Sequence, residues 1–278
     1  MSDESWVVSG PQVIEVEQVR ALKVQLVAGR VDVVTHDGPG ARLEVHDVDG
    51  RPLEVELRDG ELRVGYSFTL GGWEGWLEKF RNFRDRDRAD VSIAVPRTAV
   101  TKVGTVSADG LVAGVQGKAS VSTVSGSLVV DETRGRLSVN TVSGEIVVRG
   151  HDGDLALNTV SGELAASGAL SSVNANAVSG GLALDVTAGS TWVSATTVSG
   201  DVTLRLPADE DVHVKASAVS GRLVVDGEEY GGGTPGTRTV DLRRGSSGGS
   251  TVSVSTVSGD VTLLRGAPPA ATSPGEGA

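Results

Sequence analysis

Cysteine is absent from this 278-residue sequence, and only one methionine, three phenylalanines and two tyrosines occur in it. Without thiols there is no disulfide and no thiolate metal site, so the redox compartment stays open. With so few large side chains, a narrow core lined by Val, Leu and Ala suits the inventory better than a broad sandwich or an enzyme barrel. A basic excess is also lacking. The 25 Lys and Arg residues against 36 acids give a formal charge of -11, which argues against sequence-independent binding to nucleic-acid phosphates. No apolar run is long enough to cross a bilayer as a helix, and "MSDESWVVSGPQ" has neither a basic n-region nor an apolar h-region. The expectation is a cytoplasmic protein without direct membrane binding. Envelope association is left to a partner or an unconventional export route.

Glycine, by contrast, occurs 38 times, and abundant Val, Ser and Thr accompany it, a composition of many short strands joined by tight turns. Thr-Val-Ser-Gly or a close variant begins at Thr105 (TVSA), Thr123, Thr141, Thr159, Ala177 (AVSG), Thr197, Ala218 (AVSG) and Thr256. The first five starts are spaced by 18, the next intervals are 20 and 21, and the last is 38. Such regularity implies a repeating structural unit.

In the unit beginning at Thr141, Val142, Ile146, Val148, Leu155 and Leu157 are apolar among small or polar neighbours; Val124, Leu128, Val130, Leu137 and Val139 hold the same places one unit earlier. Period-2 alternation around two glycine corners gives two short strands per unit. Such a unit cannot bury its apolar face alone, but stacked copies form a continuous core. An antiparallel meander and a solenoid both fit this pattern. The solenoid is preferred, because a constant interval sets equivalent residues above one another. The reading is all-β: a single-stranded parallel β-helix of right hand, with about 18–21 residues per repeat. It places Val142 between Val124 and Val160 in one interior column. The corners are Ser125-Gly126, Ser143-Gly144, Ser161-Gly162, Ser179-Gly180, Ser199-Gly200, Ser220-Gly221 and Ser258-Gly259. Residues 1–90 read as an irregular β region, 91–265 as the repetitive solenoid and 266–278 as a disordered tail. Glycine-rich stretches at Gly231–Gly236 and Gly245–Gly249 read as protruding loops.

One stretch breaks the β pattern. In "GGWEGWLEKFRNFRDRDRADV", Trp73, Trp76, Leu77 and Phe80 fall at helical spacing, with Arg81 and Arg84 among nearby acids. An amphipathic insertion over 70–88 follows, either packed over the solenoid or presented to a protein partner.

No catalytic, cofactor or metal residue emerges from the motifs. The corner serines have no repeated histidine as a base, and hydroxyls that satisfy corner backbone groups account for all the copies together. His36, His46, His151 and His213 lack metal-ligand spacing. The corner acids, among them Asp109, Glu145, Glu163, Asp201 and Asp260, lack a calcium-loop pattern and read as solvated charges.

The phrases "TVSGEIVV" and "TVSGDVTL", preceded by "ADVSIAVPRTAV", resemble the DUF4097 family of putative adhesins, from about Ala28 to Leu264. The resemblance implies a solenoid domain with an adhesin-like binding role and brings no catalytic residues with it. The expected function is a noncatalytic scaffold or protein-interaction module with an unidentified protein partner; strand edges leave self-association open. The alternative from a different class is a polysaccharide-binding or carbohydrate-processing β-helix protein.

Overall fold

The computed structural model describes residues 3–66, 87–187, 189–208, 211–230, 238–245 and 249–266, which contain strands and turns and no helix. Alternation decides the inward face. Along β13 (Arg134–Thr141), Leu137, Val139 and Thr141 are buried while Arg136, Ser138 and Asn140 point outward. After the corner, β14 (Ile146–Thr159) buries Ile146 and Val148, then bends and buries Leu155, Leu157 and Thr159.

The corner differs from the sequence expectation in one respect. Its threonine faces inward and its valine faces out: Thr123 and Thr141 are fully buried, whereas Val160, Val178 and Val198 are exposed. Val142 therefore does not stand in an interior column. The reason is a turn chemistry that valine cannot supply. The buried threonine Oγ1 accepts the N–H of the glycine three residues on, as in Thr141 with Gly144 (2.9 Å), Thr159 with Gly162 (2.8 Å) and Thr197 with Gly200 (2.9 Å). Each bond satisfies a backbone donor that would otherwise be buried without a partner. The corner serines face outward. Ser125 and Ser143 donate to the carbonyls of Val106 and Val124, one coil back.

These corners stack in register. Thr105, Thr123, Thr141 and Thr159 are successive partners along one parallel ladder. Its parallel strands run in the spatial order β7 (Glu61–Gly65), β3 (Ala21–Leu26), β9 (Val100–Thr105), β11 (Gln116–Thr123), β13, the second half of β14, the second half of β15 (Leu164–Ala177), β17 (Trp192–Thr197), β23 (Ser250–Thr256) and β19 (Val212–Ala218). A second ladder faces it. Its order is β8 (Arg88–Pro96), β4 (Ala28–His36), β10 (Asp109–Ala113), β12 (Leu128–Asp131), the first halves of β14 and β15, β16 (Leu182–Val186), β18 (Val202–Leu206), β24 (Val261–Arg265) and β20 (Leu223–Val225). The result is a β-solenoid whose core is the thin layer of Val, Leu, Ile, Ala and Thr between the two ladders.

Both ends depart from chain order in the same way. At the N-terminal end the β3–β4 coil lies between β7–β8 and β9–β10, and the chain returns antiparallel through β5 (Ala41–Asp49) and β6 (Leu53–Arg58). There β1 (Glu4–Val8) and β2 (Gln12–Val16) form the outermost strands. At the C-terminal end the last coil, β23–β24, lies between β17–β18 and β19–β20. Reversed strands β21 (Glu228–Tyr230) and β22 (Arg238–Arg244) close that end. The long interval before Thr256 thus holds two reversed strands, one paired with β20 and one with β19. Charged Arg238, Asp241, Arg243 and Arg244 on β22 disfavour further strand addition. Asp226 ties this end together by accepting from Arg244 and from Arg265 at the end of the inserted coil. Gly231–Gly236 and the 267–278 tail lie outside the described residues.

Candidate functional site

Because inward positions are taken by the core, chemistry available to a ligand lies on outward positions. On the first ladder these form three columns. One reads Lys118, Arg136, Asp154, Ser172, Trp192, Thr251 and His213 across successive strands. The next reads Ser120, Ser138, Ala156, Asn174, Ser194, Ser253 and Lys215, and the third reads Ser122, Asn140, Asn158, Asn176, Thr196, Ser255 and Ser217. The amides of the third column are fixed by one another. Asn158 Nδ2 donates to Asn140 Oδ1 (3.0 Å), and Asn176 Nδ2 donates to Asn158 (3.1 Å) and to Asn174 (3.1 Å).

Trp192 is the exposed aromatic among the described residues, with 46% of its surface accessible. Its neighbours by register and alternation are Ser172, Asn174, Ser194, Thr251 and Ser253. All five are uncharged hydrogen-bonding residues. Two strands away, His213 donates from Nε2 to Asp241 (2.9 Å) when that nitrogen carries the proton. This bond is the leading cause that holds the Asp241 carboxyl below the usual range. Sequence reading passed over Trp192; the available signal was its parity with Ser194 and Thr196 in "STWVSATT".

The second surface is the corner. Val160, Val178, Val198, Val257 and Val219 follow one another in space, each 38–48% exposed. Their order is set by backbone bonds from Ser179 to Val160, Ser199 to Val178, Ser258 to Val198 and Ser220 to Val257. They form a continuous apolar ridge. Beside it the acids act across coils: Asp109 accepts the Ser127 N–H (2.8 Å), Asp201 the Asp260 N–H (2.8 Å) and Asp260 the Arg222 N–H (2.9 Å). That amide and the Arg222 guanidinium hold the Asp260 carboxyl below its ordinary range. These acids are corner staples as well as solvated charges.

Each serine-glycine pair lies between the end of one strand and the start of the next. Trp73, Trp76, Leu77, Phe80, Arg81 and Arg84 lie outside the described residues. Among the described residues, no three His, Asp or Glu side chains are placed to hold one metal ion. His36 accepts from the Gly38 N–H, and His46 bonds Ser92. A shallow cleft of ≈ 480 Å³ beside His36 is lined by Arg20, Asp37 and Arg97, with Asp37 and Arg97 paired at 2.6 Å.

His151 is buried at the bend of β14, with Nδ1 on Thr133 Oγ1 (2.9 Å) and Nε2 on the Asp154 carbonyl (3.1 Å). Burial pushes its pKa down, against smaller opposing effects of these hydrogen bonds and of Asp152 and Asp154. The unfolded chain, with an ordinary histidine near 6.5, therefore binds the proton more readily than the folded one. His151 contributes stability that is present above pH ~6.5 and declines as pH falls toward its lowered folded value. Thermal unfolding of wild type between pH 7.5 and 5 should show this loss, and His151→Gln should flatten that part of the profile.

Comparison with known proteins places this architecture. The family model described as Toastrack DUF4097 matches residues 30–264. A crystal structure of a "putative lipid binding protein" from Parabacteroides distasonis superposes with a TM-score of 0.56 at 14% identity, covering 92% of this chain and 97% of that one. A "putative adhesin" from the same organism gives 0.50 at 13% identity, covering 95% and 97%. At such identity these structures share the fold. No curated protein matches the chain.

Proposed function

Since this chain belongs to the Toastrack DUF4097 family, whose model spans most of it, we propose that it is an adhesin-like scaffold that acts by binding rather than by catalysis. The observation that carries the reading is the ridge of Val160, Val178, Val198, Val257 and Val219. Single exposed apolar residues are ordinary, but a contiguous row marks a contact surface. The core does not require these valines, because the corner turns inward through threonine or alanine. A protein partner that covers the row removes about 25 cal/mol of solvation cost per Å² of apolar surface buried.

The Trp73, Trp76, Leu77, Phe80, Arg81 and Arg84 segment is a second candidate contact within the same reading. The right-handed coil belongs to it too, as the hand that parallel crossovers overwhelmingly take. So does a cytoplasmic location, with no nucleic-acid or direct membrane ligand.

Capture from the native cells tests the proposal with three folded baits, checked by circular dichroism: wild type, Val160→Ser/Val178→Ser/Val198→Ser, and Trp73→Ala/Trp76→Ala. A protein recovered with wild type should fall at least about tenfold with one variant, the scale of a truncated interface anchor. Equal recovery by all three baits overturns both contact assignments, and catalytic turnover by the purified chain overturns the scaffold reading.

A further inference from the structure

The ridge leaves the flat face of the first ladder without a role. That face is unlike the rest of a molecule with a net charge of -11. From Ser120 to Ser255 its two inner columns hold only Ser, Thr, Asn and Ala. An indole stands at the margin of this uncharged area, 46% exposed.

The geometry points to a binding site for a neutral polysaccharide, with the Trp192 ring as the stacking platform and the Asn174, Asn158 and Ser253 side chains as hydrogen-bonding partners. The inference rests on the scaffold reading and names a ligand class for it. Three features select this class. An exposed indole offers a flat apolar surface to the C–H face of a sugar ring, and binding recovers the solvation cost of leaving that ring in water. The flanking hydroxyls and amides match a ligand that is itself a series of hydroxyl donors and acceptors. Finally, the two inner columns carry no charged side chain from Ser120 to Ser255, and the charges at their margins, Asp154 and Lys215, are of opposite sign, so neither a phosphate nor a polycation meets a field of one sign.

Preorganisation supports the same ligand. The amide ladder fixes Asn140, Asn158 and Asn176 before anything binds, so little side-chain freedom remains to be lost. Asn176 also donates to the Asn174 oxygen, which orients the exposed Asn174 amide. Strand spacing of roughly 4.8 Å repeats these groups along the solenoid axis. A chain of sugars laid obliquely from Trp192 over Asn174 to Asn158 crosses onto a new strand at each step, whereas a single small sugar meets one.

Affinity electrophoresis in gels containing galactomannan, hydroxyethylcellulose, dextran or alginate tests the assignment with wild type, Trp192→Ala, Trp192→Phe and Asn158→Ala/Asn174→Ala. Each protein is first checked for an unchanged circular-dichroism spectrum. At least one neutral polymer should retard wild type, with affinity nearly independent of salt between 50 and 500 mM. Trp192→Ala should weaken it at least about tenfold, Trp192→Phe should retain most of it, and the double asparagine variant should fall between. Retardation by none of the neutral polymers, retardation by alginate alone, or equal binding by Trp192→Ala overturns the inference. The scaffold reading is scored separately by the ridge and Trp73/Trp76 capture, so a failure here with partner capture intact rejects the glycan and leaves the scaffold.

Discussion

Gly162→Ala is expected to destabilise the protein by about 3 kcal/mol or more, the upper end of overpacking costs, while Gly181→Ala, just over one coil further along, is expected to leave stability unchanged or slightly raised. The two glycines differ in surroundings. A β-carbon at Gly162 would overlap the carbonyl oxygen of Gly144 in the coil below and press on the Thr141 methyl at 2.8 Å, whereas nothing lies within 4 Å of one at Gly181. Gly126, Gly144, Gly180, Gly200, Gly221 and Gly259 meet the same stacked backbone. Glycine is required there by close approach of successive coils, since these residues are not in the left-handed region. Backbone on both sides cannot relax without opening the ladder, so the cost of even one methyl is large. At Gly181 the substitution acts mainly by restricting the unfolded chain. Chemical denaturation of the two variants and wild type, with near-equal m-values, checks the contrast.

The second large effect concerns the end of the chain. Were coils stacked in chain order, removing the last one would cost a terminal layer and little else. Here β23 and β24 lie between two other coils, so ending the chain after Gly249 removes an inner layer. The loss takes out Val252, Val254, Val261 and Leu263, each buried to within 4% of full coverage, together with the Arg265 contacts to Asp226. Strands β17, β18, β19 and β20 all lose a hydrogen-bonded neighbour. Amide exchange in Trp192–Thr197 and Val212–Ala218 should then rise by orders of magnitude, while β11, β13 and β14 keep their protection, because each coil depends on its nearest neighbours. Loss of protection confined to residues after Val212 would indicate stacking in chain order.

Much of the architecture was legible in the sequence, for a physical reason. A constant interval preserved through five starts leaves few structures other than stacked coils, and alternation placed Leu137, Val139, Ile146, Val148, Leu155 and Leu157 in the core, where they are. The same alternation carried one step further puts Thr141 inside with Val139. The corner was misread because hydrophobicity favours valine for the interior, while the buried glycine amide needs an acceptor that threonine has and valine lacks.

Spatial order was hidden more deeply. Every coil offers similar Val, Ser and Thr rows to either neighbour, so composition does not specify which coil meets which. The specifying contacts are single groups such as Asp226 with Arg244 and Arg265, far apart in sequence. The polar face shared this fate. The recurrence of Asn140, Asn158 and Asn176 at the repeat interval marks a ladder, but Trp192 has polar neighbours on both sides only when Thr251 and Ser253 arrive beside it from the chain's end.

That arrival is the hinge of the whole account, and the absence of native cysteine makes it directly measurable. Ser194 is paired with Ser253, and Ser253 with Lys215, on one outward face. Adjacent strands of roughly 4.8 Å spacing lie within disulfide range, and strands two apart do not. Under mild oxidation Ser194→Cys/Ser253→Cys should form an intramolecular disulfide, and Ser194→Cys/Lys215→Cys should stay reduced. The reverse outcome would put the β19 coil next to β17, remove Thr251 and Ser253 from Trp192, and contradict both the fold and the site built on it.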